Sequence, residues 1–529
     1  MKQIQTETLQ LEKIVGGGQT LGTLKDGRKL FAWGGLPGET VEVTVTKKKS
    51  KYAEGVVTNV LTASAERIEP KDLDSYLSTS PWQIMTFAAE QHYKAALIEE
   101  AFELHDIVLP EPIDIASDGN EYHYRNKVEF SWYGSYEPTV DGQQSTESDE
   151  IDDLKSTSEK LDLAFFRRGT KGKIPVSSTS LARPEINELA GRIRDLLAQK
   201  NVTARELKTL LIRCDQHGNC AWQLYVKDML ADIISPEEAA SLGAQGGEVI
   251  YSDPRSPASR ITERLTSFGD VVLQDTILNT PFRYATEGFF QINLPVYEMA
   301  LEDMQEWVEG RKMKEEGRKA DSRQPAANRK SQDEDKRVTM ASAATTSFSE
   351  DSVFPTERGD TRQQLEPNES EEKDGGSVAG KEVNNGSGEE IVKVIDLYSG
   401  VGSIGLTIGG DDVTLVEINE DAVREMRANI AVLGKKAHAV LAPSEKALDH
   451  ITPDSLVIVD PPRAGLHADV IDRLLETKPQ RIVYLSCNPV TQARDVALLT
   501  SAYGIRYHRG YNFFPGTPHI EHLVVLDLI

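Results

Sequence analysis

The sequence predicts an α/β protein whose carboxy-terminal part is a doubly wound parallel sheet, preceded by a small β-barrel and a β-rich middle region. Beyond residue 390, the apolar runs "IVKVIDLY", "VTLVEI", "SLVIVD" and "RIVYLS" alternate with helical stretches such as "NEDAVREMRANIAVLG" and "HADVIDRLLET". That alternation is the signature of parallel strands joined by crossover helices. Residues 1–65 instead carry short period-two runs between glycine turns, which suits a small closed barrel. The chain has 529 residues, enough for several domains.

Within the barrel segment, Lys47, Lys48, Lys49 and Lys51 with Tyr52 suit a phosphate backbone and equally suit a solvated hairpin turn. Next, "PWQIMTFAAEQHYKAALIEEAFEL" has apolar positions at helical spacing. A central region, 66–275, then holds "HYRNKVEFSW" and the hairpin "LKTLLIRCDQHGNCAWQLYVKD", interrupted at 141–160 by an acidic, serine-rich stretch expected to be a surface loop. The last region, 276–529, begins with a helix around "LPVYEMALEDMQEWV". It is interrupted at about 312–389 by a Ser-, Glu- and Gly-rich segment expected to be a disordered insertion.

The net charge is −25, concentrated partly in those two interruptions. A uniformly acidic surface disfavours nucleic acid, so any such partner must be gripped by local basic stripes. Three cysteines, Cys214, Cys220 and Cys487, are too few for a disulfide framework. With neither a leader-like start nor a bilayer-length apolar run, the expected setting is the reducing cytoplasm, without a membrane partner.

The chemistry gathers in the doubly wound region, where ligands bind beyond the carboxyl ends of the strands. In "DLYSGVGSIGL", Asp396 closes a strand and the glycines of turn 400–405, Gly400 and Gly402 among them, let the backbone approach a ligand. Glu417 ends the next strand, where it can accept hydrogen bonds from ribose hydroxyls. A dinucleotide enzyme would share these features. The downstream turns "VDPPRAGLH" and "YLSCNP" favour a methyl-transfer enzyme acting on a base.

Uracil C5 is too poor a nucleophile to attack a methyl sulfonium directly. A thiolate added at C6 creates an enolate that can take the methyl group, and a base must then remove the C5 proton. Cys487, just beyond a buried-type strand, supplies the thiol. Glu521 begins a final strand expected to run antiparallel, so it emerges on the same edge as Cys487; His519 and His522 compete with it as bases. Asp460 can hydrogen-bond the uracil edge, and Arg463 can stabilise developing negative charge.

With these residues assembled, the chain resembles the RNA uracil-C5 (5-methyluridine) methyltransferase family along most of its length, through "DLYSGVGSIGL", "DPPRAGLH", "YLSCNP" and "TPHIEHLVVL" in order. The resemblance implies a Rossmann-like S-adenosylmethionine methyltransferase domain, an amino-terminal OB-like TRAM module and a central RNA-binding region. It makes Cys487 the nucleophile and Glu521 the general base. Gln291, Tyr398, Glu417 and Asp460 match cofactor-side positions, and Arg125 and Lys127 in "YRNKVEF" become RNA contacts alongside Arg463. The implied partner is RNA, with extrusion of the target uridine from its stack; ribosomal RNA is expected ahead of transfer RNA, and no stable protein partner. The competing readings are a non-catalytic RNA-binding protein and, more distantly, a nicotinamide enzyme.

The chain departs from relatives that hold a four-cysteine iron-sulfur cluster. Ser80 and a position near Thr179 stand where two cluster cysteines would fall. Cys214 and Cys220, with His217 between them, fall short of a structural metal tetrad and read as a hairpin turn. The expectation is no metal and no cluster: purified protein shows no visible absorption band and no iron, whereas stoichiometric iron would overturn the reading.

Overall fold

A computed structural model describes residues 5–136, 159–170, 172–310 and 393–529. The expected insertion at 312–389 lies outside the described residues, as does 141–158. The last two residues of the expected acidic loop, Glu159 and Lys160, open a strand.

Strands β1 (Thr6–Ile14), β2 (Thr20–Thr23), β3 (Lys29–Trp33), β4 (Thr40–Lys48) and β5 (Tyr52–Thr62) close a barrel in the order β1-β2-β3-β5-β4. Alternation in β4 buries Val41 and Val43 and leaves its lysine end exposed, so the lysine run is the β4–β5 hairpin, with Lys47 paired to Glu54 at 2.8 Å.

After the short α1 (Tyr76–Thr79), helix α2 spans Phe87–Glu103. It starts six residues later than the apolar spacing suggests, because the Thr86 side chain accepts from Ala89 N–H and caps it there. The two-residue strand β6 (Ile115–Ala116) follows. A seven-stranded sheet is built from β7 (Lys127–Tyr136), β8 (Glu159–Phe166), β9 (Lys173–Val176), β10 (Leu207–Cys214), β11 (Cys220–Val226), β12 (Gly246–Tyr251) and β13 (Glu263–Gly269). Helix α3 (Pro184–Gln199) covers one face, and α4 (Pro236–Ser241) packs near its edge.

Hairpin β14 (Val272–Ile277) and β15 (Thr280–Ala285) leads into α5 (Leu294–Val308). Then come β16 (Lys393–Leu397), α6 (Ser403–Ile408), β17 (Val413–Glu417), α7 (Glu420–Leu433), β18 (His438–Leu441), β19 (Ser455–Val459), α8 (Ala468–Thr477), β20 (Arg481–Ser486), α9 (Pro489–Leu499), β21 (Tyr503–Tyr511) and β22 (Glu521–Leu528). The resulting eight-stranded sheet has the order β18-β17-β16-β19-β20-β22-β21-β6, and β22 is antiparallel to both neighbours.

Two boundaries differ from the sequence reading. The division at 275/276 falls inside β14, whose Leu273 and Ile277 pack in the core beneath α5 and α6. Helix α2 and β6, expected within the central region, instead complete the carboxy-terminal sheet: Ile98, Phe102 and Ile115 share a core with β16, β19 and β20. An amphipathic pattern reveals that a helix has an apolar face without revealing which sheet it covers.

The register between β20 and β22 is pinned at its far end. Arg481 and Asp527 are register partners joined by two hydrogen bonds, at 2.6 and 2.8 Å, while Arg481 also donates to the Trp307 carbonyl. A one-residue slip would turn every side chain of β22 to the other face. Asp527→Ala leaves Arg481 buried without its carboxylate and is expected to cost about 3 kcal/mol, read as a lowered denaturant midpoint for the carboxy-terminal sheet; an unchanged midpoint would show the pair to be dispensable.

Candidate active site

Alternation along the strands selects the site. Val394, Val413, Leu456 and Val483 point into the core under α5 and α6, whereas Ile395, Val416, Val457 and Ile482 point to the opposite face. Asp396, Glu417, Asp460 and Cys487 continue the first parity, so all four emerge on one face at the carboxyl edge of the sheet. β22 brings Glu521 there from the opposite direction. Leu485 pairs with Leu523 and Ser486 with His522, so the continuation of this register sets Cys487 opposite Glu521.

The same alternation separates Glu521 from the competing histidines. His522 points to the other face, fully buried, where Nδ1 meets Gln492 Oε1 at 2.7 Å and the ring lies edge-on to Phe102. His519 stays near the site, but its Nδ1 accepts from Arg463 Nη2 at 2.9 Å. Burial and the positive charges of Arg463, Lys94, Arg125 and Arg168 push it down to about 3, so the ring is neutral. Arg125 and Arg463, expected RNA contacts, are thus both near enough to His519 for their charges to act on it.

Cys487, Asp460 and Glu521 form a mutually repelling acidic group. Burial raises the Cys487 thiol above its ordinary value, the Glu521 and Asp460 charges raise it further, and Arg463 opposes them. Glu521 is raised well above the carboxylate range by burial and then by Asp460, again opposed by Arg463. Burial lifts Asp460 to about 7. The three groups disfavour one another's ionisation, and Arg463 opposes that effect on Cys487 and Glu521.

Beside this group lies the glycine turn. Gly400 and Gly402 sit at φ of 56° and 85°, in the left-handed region that glycine occupies without strain. Gly405 N–H donates to Asp396 Oδ2 at 2.9 Å; a Cβ on Gly405 would come within 2.4 Å of Leu415. Glu417 accepts from Gly400 N–H at 2.9 Å and from Asn419 N–H at 2.7 Å, so its carboxylate holds the turn while ending β17 at the ligand edge. Asp396 is pushed up to about 8, chiefly by burial, and its Oδ1 is enclosed with no hydrogen-bond partner. A glycine turn that lets a ligand approach the backbone, a carboxylate at the end of β17 and a buried carboxyl oxygen without a partner fit an adenosine-bearing sulfonium donor with its ribose hydroxyls and ammonium group.

The remaining predicted residues are distributed more widely. The Gln291 carbonyl accepts from Asn126 Nδ2 at 2.9 Å, which ties the "FFQIN" loop to the "YRNKVEF" segment. Lys127 Nζ donates to the Glu287 carbonyl at 3.2 Å and so holds the same loop. Tyr398 departs from the expected grouping: its backbone, at φ 64°, opens the glycine turn, but its ring packs on the opposite face against the core of β16 and β19. Ser80 and Thr179 are buried and linked through Gln83 and Asp72 by hydrogen bonds of 2.6 to 3.2 Å. Cys214 and Cys220 are cross-strand partners flanking a turn, and no group of three or more metal-ligating side chains occurs among the described residues.

Two neighbours escaped the sequence reading. Phe289 is 58 % exposed and borders Gly400. Tyr297, fully buried on α5, meets Ser403 Oγ at 2.9 Å amid the charges of Asp460, Asp396 and Glu521. Adjacency to Gln291 was the available signal for Phe289; Tyr297 carried no comparable signal in the sequence.

Among the described residues no helix is long and apolar enough to cross a membrane. Comparison with known proteins adds sequence and fold relationships. Residues 394–528 match the family model described as tRNA (Uracil-5-)-methyltransferase. An uncharacterized RNA methyltransferase of Enterococcus faecalis is 24% identical over 555 residues, covering 99% of this chain and 97% of that one. A counterpart in Porphyromonas gingivalis reaches 40% over 151 residues, 26% of this chain and 32% of that one. The crystal structure of Pyrococcus abyssi tRNA (uracil-54, C5)-methyltransferase in complex with S-adenosyl-L-homocysteine shares the fold, with a TM-score of 0.62 at 16% identity over 98% of this chain and 100% of that one. Residues 394–528 thus carry the domain that the tRNA (Uracil-5-)-methyltransferase family model describes, and along nearly its whole length the chain is similar to RNA methyltransferases.

Proposed function

We propose that this enzyme forms 5-methyluridine at a specific uridine through a covalent adduct between Cys487 and uracil C6, with Glu521 as general base. The observation that carries the reading is the register that sets Cys487 opposite Glu521 on the rim shared with Asp460 and the glycine turn. S-adenosylmethionine, when bound, supplies the electrophilic methyl group. The thiol proton passes to Asp460 as the Cys487 Sγ–C6 bond forms, leaving Glu521 free to accept the later proton, and the electron pair of the C5–C6 double bond moves toward O4. Arg463 stabilises the negative charge that develops there. Once C5 is methylated, Glu521 takes the C5 proton, the double bond re-forms and the Sγ–C6 bond breaks.

Gln291, Tyr398, Glu417, Asp396, Gly400 and Gly402 are assigned to the donor side, Tyr398 through its backbone. Asp460 is assigned to the junction of donor and uracil. Arg125, Lys127 and Arg463 are assigned to the RNA side, with an extruded uridine presented to the rim. Arg125, Arg168 and Arg463, whose charges all act on His519, supply local positive charge in a chain of net charge −25. The reading favours ribosomal RNA, given the TRAM-like barrel ahead of the catalytic domain. Transfer RNA is the second reading, supported by the description of the matching family model and by the Pyrococcus abyssi enzyme of the same fold.

Two expected outcomes follow from the site's charges and chemistry. Because the Glu521 charge raises the Cys487 thiol, Glu521→Gln moves the pH midpoint of Cys487 alkylation by iodoacetamide downward, read by peptide mass; an upward move would contradict their adjacency. Incubation with labelled S-adenosylmethionine and separated unmodified ribosomal and transfer RNAs yields labelled 5-methyluridine in one class, and Cys487→Ala abolishes it. Undiminished label with Cys487→Ala would exclude the adduct, and label confined to transfer RNA would decide the target for the second reading.

A further inference from the structure

Helix α2 carries an ion pair sealed from solvent. Lys94 Nζ lies 2.8 Å from Glu90 Oε1, with side-chain exposures of 0% and 2%. The remaining hydrogen bonds of the pair go to one short segment, the 512–516 stretch of the β21–β22 connection. Lys94 donates to Asn512 Oδ1 at 2.6 Å and to the Phe514 carbonyl at 3.2 Å. Glu90 accepts from Asn512 Nδ2 at 3.0 Å and from Gly516 N–H at 2.9 Å.

Other parts of the molecule grip the same segment. Asn293 donates to the Phe513 carbonyl, the Tyr124 hydroxyl to that of Pro515, and Trp82 N–H to that of Gly516. The connection then passes through His519, bound to Arg463, and enters β22 at Glu521.

Burying two charges costs several kcal/mol per ion before their attraction is counted, and well-packed apolar residues often replace such a pair without loss of stability. A sealed pair that directs its outward hydrogen bonds to the segment just before Glu521 therefore contributes geometry more than stability. We propose that Glu90 and Lys94 are positioning residues for methyl transfer: they fix the β21–β22 connection and thereby the placement of Glu521 against Cys487. This rests on the assignment of Glu521 as the base that resolves the covalent adduct.

The test is the double substitution Glu90→Leu with Lys94→Met in the full chain, which removes both charges at similar volume. The expected result is an unchanged circular dichroism spectrum, KM for RNA within twofold, and kcat reduced on the order of a hundredfold, the scale of a misplacement of about 1 Å. Because adduct formation needs Cys487 and release needs Glu521, the cysteine–RNA adduct should accumulate on a denaturing gel, as with Glu521→Gln. A kcat within twofold of the parent, or a fall without adduct accumulation, overturns the proposal. Where the double variant does not fold, Glu90→Gln serves, since its amide cannot accept from both Lys94 and Gly516; the same two readouts decide. Glu521→Gln releasing its product normally would instead defeat the assignment of the base, which separates the two failures.

Discussion

The antiparallel insertion of β22 between β20 and β21 is the constraint on which the rest of the site depends. A parallel sheet places the ends of its strands on one edge, and four of the site's side chains come from that rule alone. The fifth must arrive on the edge from a strand that starts there, and only a strand of reversed direction does so. The reversal requires the chain to cross from the end of β21 to the start of β22 without leaving the ligand edge. Residues 512–520 do this, which explains why so many buried donors converge on their carbonyls.

Strand direction also settles the electrostatics. Bringing a thiol and two carboxylates to one enclosed rim makes their ionisations compete, and burial raises all three above their ordinary values. The Arg463–His519 contact adjusts this balance. A neutral imidazole accepting from the guanidinium leaves the arginine its full charge while fixing its direction. The site is thus a set of groups whose proton positions depend on one another, and a base bound between Cys487 and Glu521 alters all of them together.

Much of this arrangement was legible in the sequence, and the reason is periodicity. Parallel strands buried on both faces write continuous apolar runs, and functional residues stand at their ends, so Asp396, Glu417, Asp460 and Cys487 could be picked out as strand termini. The direction of the last strand followed from the expected sheet, and with it the relation of Glu521 to Cys487. The choice between Glu521 and His522 was different: adjacent residues on a strand face opposite ways, and which one faces the site depends on register, fixed by Arg481 and Asp527 far along the same strands. Tyr398 illustrates a similar limit, since its left-handed backbone turns its ring away from the residues beside it in sequence. The Glu90–Lys94 pair marks a further limit, because nothing local to α2 announces that residues 512–516 will cover it.

The docking of β6 beside β21 has a consequence for how the molecule is made. Ile115 and Ala116 pair with Gly510 and Tyr511, and the apolar face of α2 lies against the same sheet. These early segments leave the ribosome while the strands they cover are still unsynthesised. The barrel, whose pairings are all local, can close first. Helix α2 must wait with Ile98 and Phe102 uncovered until the strands of that sheet have been translated. β21 and β22 therefore complete the catalytic rim and also bury apolar surface made much earlier, so this step of assembly joins segments far apart in the polypeptide.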